Sequence, residues 1–217
     1  MHANHHSSTG RVRGDRRARA ALAIAQSAFV AAIASGQAIH EDHKLVASDA
    51  ASGDEFGRAV AVSGSTAIIG ARYDDDHGSN AGSAYLFDVN SGQQLAKLTA
   101  ADLQTNDQFG YAVAIDGVHA IVGAFGDDDT GTDSGAAYIF DARTGQQRLK
   151  LTASDAQPGD QFGYSVAICG NYAIVGARGD DDAGNDSGSA YIFDVGTGLQ
   201  RFKLTAADAD ASGRCRK

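Results

Sequence analysis

The sequence predicts an all-β protein made of β-propeller-type blades, three four-stranded antiparallel repeats of 53 residues in an incomplete ring, after an N-terminal helix. Three observations predict it. Phe-Gly pairs stand at 56–57, 109–110 and 162–163, a constant spacing of 53 residues, and a fixed period of this size marks a repeat architecture. Each copy holds four short apolar runs separated by turn residues, the pattern of a blade. Glycine recurs inside the second run of every copy at Gly70, Gly123 and Gly176, which favours strands over helices and points to close backbone approach.

The copies align without a gap at about 45–97, 98–150 and 151–203, and a truncated fourth begins at Leu204. The first strand follows Phe-Gly. Val60, Val113 and Val166, with Val62, Ile115 and Ile168 two residues on, give one apolar face at period two. Ser63-Gly64, Asp116-Gly117 and Cys169-Gly170 then predict a tight hairpin in which glycine takes a positive φ.

The second strand, Ala67–Ala71 and its equivalents, is continuously small or branched, as expected of burial on both faces. The third is Ala84-Tyr85-Leu86-Phe87-Asp88, echoed at 137–141 and 190–194. The fourth, Gln94–Leu98 and its equivalents, is more polar and reads as the outer edge, where Lys97, Lys150 and Lys203 would discourage strand addition.

The domain division is 1–43, a basic segment and apolar helix read as a signal peptide, then 44–217, the repeats. Arg11, Arg13, Arg16, Arg17 and Arg19 precede the apolar run Ala20–Ala34, and small residues follow. That layout fits secretion, and the run is shorter than the roughly 20 apolar residues of a membrane span. The alternative is an amphipathic helix packed on the body. Secretion or display at the cell surface is the expected location.

Composition bounds the function. The chain has 217 residues, a net charge of −9, no tryptophan and two cysteines, Cys169 and Cys215. An acidic body repels phosphate backbones, which argues against nucleic acid as a partner, and two cysteines are no disulfide framework. His40, His43 and His119 have no nucleophile at readable spacing, and the glycines mark hairpins rather than a phosphate loop. The chain therefore reads as no enzyme.

These residues resemble the FG-GAP repeat family, known from the head of integrin α-subunits and from secreted or surface bacterial proteins. The resemblance rests on the three Phe-Gly pairs and on Gly-Ala at 70–71, 123–124 and 176–177, and covers about Leu45 to Lys203. The bacterial variant, with Tyr-Ile-Phe-Asp and Lys-Leu-Thr-Ala segments, is the nearer likeness. The family proline after Gly-Ala is replaced by Arg72, Phe125 and Arg178. The integrin-like calcium loop would lie between the Phe-Gly and Gly-Ala strands, where this chain has a tight hairpin, so that site does not carry over.

Acidic residues follow Gly-Ala instead. Asp74, Asp76 and Asn80, Asp127, Asp129 and Asp133, and Asp180, Asp182 and Asp186 form three candidate metal sets, alternating oxygens around a glycine, as calcium prefers. The competing reading is a solvated turn capped by its own aspartates. Arg178-Gly179-Asp180 spells an integrin-binding tripeptide that the other copies lack, as repeat drift would produce.

The resemblance implies a non-catalytic binding or adhesion module with a protein or carbohydrate ligand at the blade loops, in a calcium-dependent form if the acidic sets bind an ion. The alternative is a fragment or accessory domain of a larger extracellular hydrolase or lyase. Three blades fall short of the about four to eight of a closed propeller. The expectations are a longer parent chain, an open arc, or self-association through unclosed blade faces.

Overall fold

A computed structural model describes residues 43–207. The predicted N-terminal helix, the export signal, His40, Cys215 and the tail after Ala207 lie outside the described residues. The described chain is all strand and turn. β1 (Val60–Ser63), β2 (Thr66–Ala71), β3 (Ser83–Asp88) and β4 (Gln94–Leu98) form one antiparallel sheet in that order. β5 (Ala112–Asp116), β6 (His119–Ala124), β7 (Ala136–Asp141) and β8 (Gln147–Leu151) form the second. β9 (Phe162–Cys169), β10 (Tyr172–Ala177), β11 (Ser189–Asp194) and β12 (Gln200–Leu204) form the third. The three blades do not close a ring.

The hairpins form as expected. Ser63 pairs with Thr66, Asp116 with His119 and Cys169 with Tyr172, which leaves two-residue loops whose first member is Gly64 (φ 57°), Gly117 (φ 56°) or Gly170 (φ 54°). Glycine at the first central position is the type II′ requirement.

The core lies between blades. Ile68, Leu86 and Leu98 of the first blade pack with Val113, Ile115 and Val122 of the second. Ile121, Ile139 and Leu151 of the second join Val175, Phe162 and Tyr191 of the third, with Val166 and Ile168 against them. β6 is buried on both faces because it lies between two blades, and β2 because Leu45, Ala47 and Phe56 cover the face turned away from the second blade, whereas β10 alternates between buried and exposed.

The Phe-Gly segment joins one blade to the next. The Phe109 ring packs edge-on against Tyr138 and Phe140 of its own blade, with centroids 5.5 and 5.8 Å away. Its backbone docks on the preceding blade: Asn106, Gln108 and Phe109 N–H donate to the carbonyls of Ser79, Asn80 and Ala81 at 2.8, 3.1 and 2.9 Å. Gly159, Gln161 and Phe162 repeat this on Thr132, Asp133 and Ser134 at 2.9, 3.0 and 2.9 Å.

The second-strand glycine is the socket for this docking. A methyl group at Gly123 would lie far inside van der Waals distance of the Gly163 carbonyl oxygen, and one at Gly70 would meet Gly110 in the same way. The hub-like approach expected of these glycines is thus a contact between backbones of neighbouring blades. Gly123→Ala is expected to lower stability by at least about 1–3 kcal/mol, the usual cost of overpacking, read from the denaturation midpoint.

Candidate functional site

Antiparallel order places the start of the first and third strands and the end of the second and fourth at one end of each blade. The loop after Gly-Ala and the segment entering Phe-Gly meet there. The triple aspartates lie in that loop, and their three members do different things.

In the second blade, Lys150 Nζ donates to Oδ2 of Asp102 (2.8 Å), Asp127 (2.8 Å) and Asp129 (2.6 Å), which uses all three ammonium protons. The Tyr138 hydroxyl donates to Asp127 at 2.7 Å, and Lys150 stands 5.4 Å from the centre of the Tyr138 ring. The first blade repeats the cluster: Lys97 donates to Asp49 (2.7 Å), Asp74 (3.0 Å) and Asp76 (2.6 Å), and Tyr85 to Asp74 (2.7 Å). In the third, Lys203 donates to Asp155 and Asp180, both at 2.8 Å, and to Asp182, with Tyr191 on Asp180.

Asp74 and Asp76, Asp127 and Asp129, and Asp180 and Asp182 are therefore brought together, each pair with a third aspartate that the candidate sets lacked. Asp102 and Asp155 enter from the segments after β4 and β8, and Asp49 from the segment before β1. Their signal was present as an aspartate recurring at period 53 five residues after Lys44, Lys97 and Lys150.

Asn80, Asp133 and Asp186 stand elsewhere. They take positive φ values of 54°, 51° and 52°, and their N–H groups donate to Oδ1 of Asp75, Asp128 and Asp181, the middle member of each triplet. The middle aspartate is thus the turn cap of the competing reading.

The fourth-strand lysines also need reassignment. β4, β8 and β12 are edges, but Lys97, Lys150 and Lys203 are each bound to three carboxylates rather than standing free as guards.

In each cluster the carboxylate oxygens lie within 4.8 Å of one another and could hold a metal ion. Hard oxygens of this kind suit calcium. In this structure the positive charge at the centre is the chain's own ammonium, within 3.0 Å of every carboxylate in the first blade, while in the second blade Asp102 Oδ1 is buried without a hydrogen-bond partner.

The electrostatics follow. Burial works against ionisation of Asp74 and Asp180, but hydrogen bonds from Tyr85 and Lys97, and from Lys203 and Tyr191, hold both below the ordinary 3.8. Burial likewise opposes the charge on Lys97, Lys150 and Lys203, and their carboxylate partners outweigh it and raise all three. Asp107, whose carboxylate accepts from Gln104 N–H at 2.7 Å, is pushed up to about 7 by burial, with the Asp127 charge adding to the rise.

A second feature at this end is a patch of aromatic and arginine side chains that sequence reading did not single out. Tyr111, Phe125 and Tyr164 touch one another with ring centroids 4.6, 4.9 and 5.6 Å apart. Arg58 and Arg72 lie 5.7 and 5.3 Å from the Tyr111 ring, and Arg178 lies 4.7 Å from that of Tyr164. The Tyr111 hydroxyl and the Arg178 cation hold the Tyr164 phenol below its usual range.

These are the residues after each Phe-Gly and after each Gly-Ala, including the three positions where the family proline is replaced. The tripeptide at 178–180 is not presented as a unit: Arg178 is exposed, while Asp180 is buried in the Lys203 cluster. His43 lies against the Gly92 turn, and His119 pairs across the sheet with Asp141.

Sheet order, blade packing and the repeated cluster define a protein of propeller-type blades. A family model described as FG-GAP repeat matches residues 39–87, 93–140 and 146–193, and the chain belongs to that family. No curated protein matches it. Among solved structures, the computationally designed Ika4 protein is similar with a TM-score of 0.50 at 16% identity, over 78% of this chain and 83% of that one. The hydrazine synthase of Kuenenia stuttgartiensis gives a TM-score of 0.46 at 16% identity, over 69% of this chain and 37% of its own. The likeness to Ika4 is one of fold.

Lys150→Met is expected to cost about 3 kcal/mol, the low end for breaking a buried pair, since Asp127 is 3% exposed but Lys150 is still 21% exposed. Replacing Asp127 by Asn in the same chain should recover part of it, checked by urea unfolding.

The pH profile has two components of opposite sign. Asp74 and Asp180, lowered in the folded state, contribute stability above their unfolded pKa of 3.8, and it is lost as pH falls through the folded values. Asp107, raised to about 7, contributes stability below 3.8 that is lost as pH rises towards 7. Melting curves across this range should therefore show acid destabilisation, and Asp107→Asn should gain on the parent chain between about pH 4 and 7.

Proposed function

We propose that this protein is a non-catalytic binding module of adhesion type, secreted or held at the cell surface, that takes a protein or carbohydrate ligand at one end of its blades. The observation that carries this reading is the patch of Tyr111, Phe125 and Tyr164 with Arg58, Arg72 and Arg178. Aromatic and arginine side chains are enriched where proteins bind partners, because they offer large contact area and directional polar groups together.

Glu55 pairs with Arg72 at 2.8 Å and lies 3.8 Å from Arg58, so three arginines against one carboxylate keep this patch positive on a chain of net charge −9. An anionic ligand with an apolar or sugar face fits it. The aspartates of the three clusters are engaged by lysines, and among the described residues Arg178 has no carboxylate partner. The docked blades beneath hold the side chains in place, so little entropy is lost on binding. Calcium dependence, the finer part of the proposal, requires an ion to take the place of an ammonium at one of the three clusters.

Arrays of acidic oligosaccharides and acidic peptides, probed in calcium and in chelator, test this reading. Binding should weaken at least about tenfold in Tyr164→Ala and in Arg178→Ala, as expected of hot-spot residues. Binding left unchanged by both substitutions would overturn the placement of the site, and equal binding in calcium and chelator would assign the clusters to lysine alone.

A further inference from the structure

We infer that two copies of this chain associate head to tail, each joining its third blade to the other's first blade, and close a six-bladed ring. The argument starts from residues that occupy the same place in different repeats. In the first two blades, Ile68 and Ile121 are covered by the following blade and are 0% exposed. Their equivalent in the third, Ile174, is 38% exposed. Phe202 and Leu204, equivalents of Leu149 and Leu151, are 62% and 45% exposed, whereas Leu151 is 1% exposed.

The opposite face shows the complementary deficit. Val113 and Ile115 pack on the preceding blade at 9% and 8% exposure. Val60 and Val62, the same positions in the first blade, are 66% and 64% exposed. One chain thus carries both halves of an interface that it already makes twice internally.

The polar halves match as well. The carbonyls that receive the Phe-Gly segment on the first two blades correspond to those of Asn185, Asp186 and Ser187 on the third. Among the described residues these accept no backbone hydrogen bond from a Phe-Gly segment. The donors that would reach them, Gly53, Glu55 and Phe56 N–H, find no carbonyl partner among the described residues either.

Gly57 has open space around it, whereas Gly110 and Gly163 lie against the carbonyls of Ser83 and Ala136. Gly176 would meet Ser165 of its own blade, while Gly70 and Gly123 meet the following blade's backbone. Beside the unmet carbonyls of the third blade lies an open cleft of about 590 Å³ lined by Tyr164, Gly176, Asp186, Gly188 and Leu204, where a Phe-Gly segment would sit.

A partner other than a second copy would have to reproduce the Phe-Gly strand, its three spaced N–H donors and its branched face. The first blade of another copy has all of them. A heterologous contact closes into a ring when the rotation allows, and two sets of three blades give six, inside the about four to eight of known propellers.

The test is the mass in solution of the full 217-residue chain by light scattering, with variants at each face. The expected mass is twice the 22.3 kDa of one chain. V60E/V62E on one face and I174E/F202E on the other should each weaken association at least about a hundredfold, since unpaired carboxylates would enter a buried interface. Because these four side chains are exposed within one chain, each variant should still unfold cooperatively.

Mixing the two variants should restore a species of two chains joined through their intact faces, which only head-to-tail pairing allows. A monomeric parent chain at all concentrations, an open series of larger multiples, or a mixture that stays monomeric would overturn the proposal.

Discussion

The docking of the second and third Phe-Gly backbones on the glycine of the preceding second strand is the constraint on which the rest of the structure depends. It brings two backbones closer than any side chain would permit, so the glycines at 70 and 123 are required by contact and not by turn geometry. Three main-chain hydrogen bonds at each junction set the register between blades. With register set, branched residues of one sheet fall opposite those of the next, and most of the core forms at the junctions. A blade alone would leave an apolar face in water, as is general for repeat architectures.

The lysine clusters play a complementary part inside each blade. Lys97 joins the last strand to the loop after the second strand and to the segment that precedes the blade, and its equivalents do the same. Buried ion pairs often contribute little net stability against apolar packing, but their geometry is demanding. The tyrosine hydroxyl, three carboxylates and one ammonium hold the loop end of the blade in one arrangement. The clusters also account for part of the excess of acidic residues, since nine aspartates are engaged internally by three lysines.

Much of this was legible in the sequence because repetition multiplies weak signals. Phe-Gly, Gly-Ala and the glycine hairpins gave the strand order, the two-residue turns and the buried second strand, since each reflects a local steric or periodic requirement. The acidic sets were only partly legible. Asp74 and Asp76 do converge, but Asn80 turns away because its N–H caps Asp75. The third carboxylate, Asp49, comes from another segment. Lys97 is 21 residues from Asp76, so their meeting depends on how a blade folds back on itself. The arginine and aromatic patch had no local signal, because its members come from three different blades.

The sequence by itself determined the repeat length, the blade, the family and the places where the chain must turn. These follow from side-chain period and from the conformations only glycine takes readily. Tertiary structure alone decided which groups share an environment: that a lysine joins each aspartate cluster, that arginine and tyrosine side chains gather at one end, and that the two outermost faces leave branched and aromatic side chains exposed. Such outcomes depend on distances between residues far apart in the chain, which are set only when the blades are stacked.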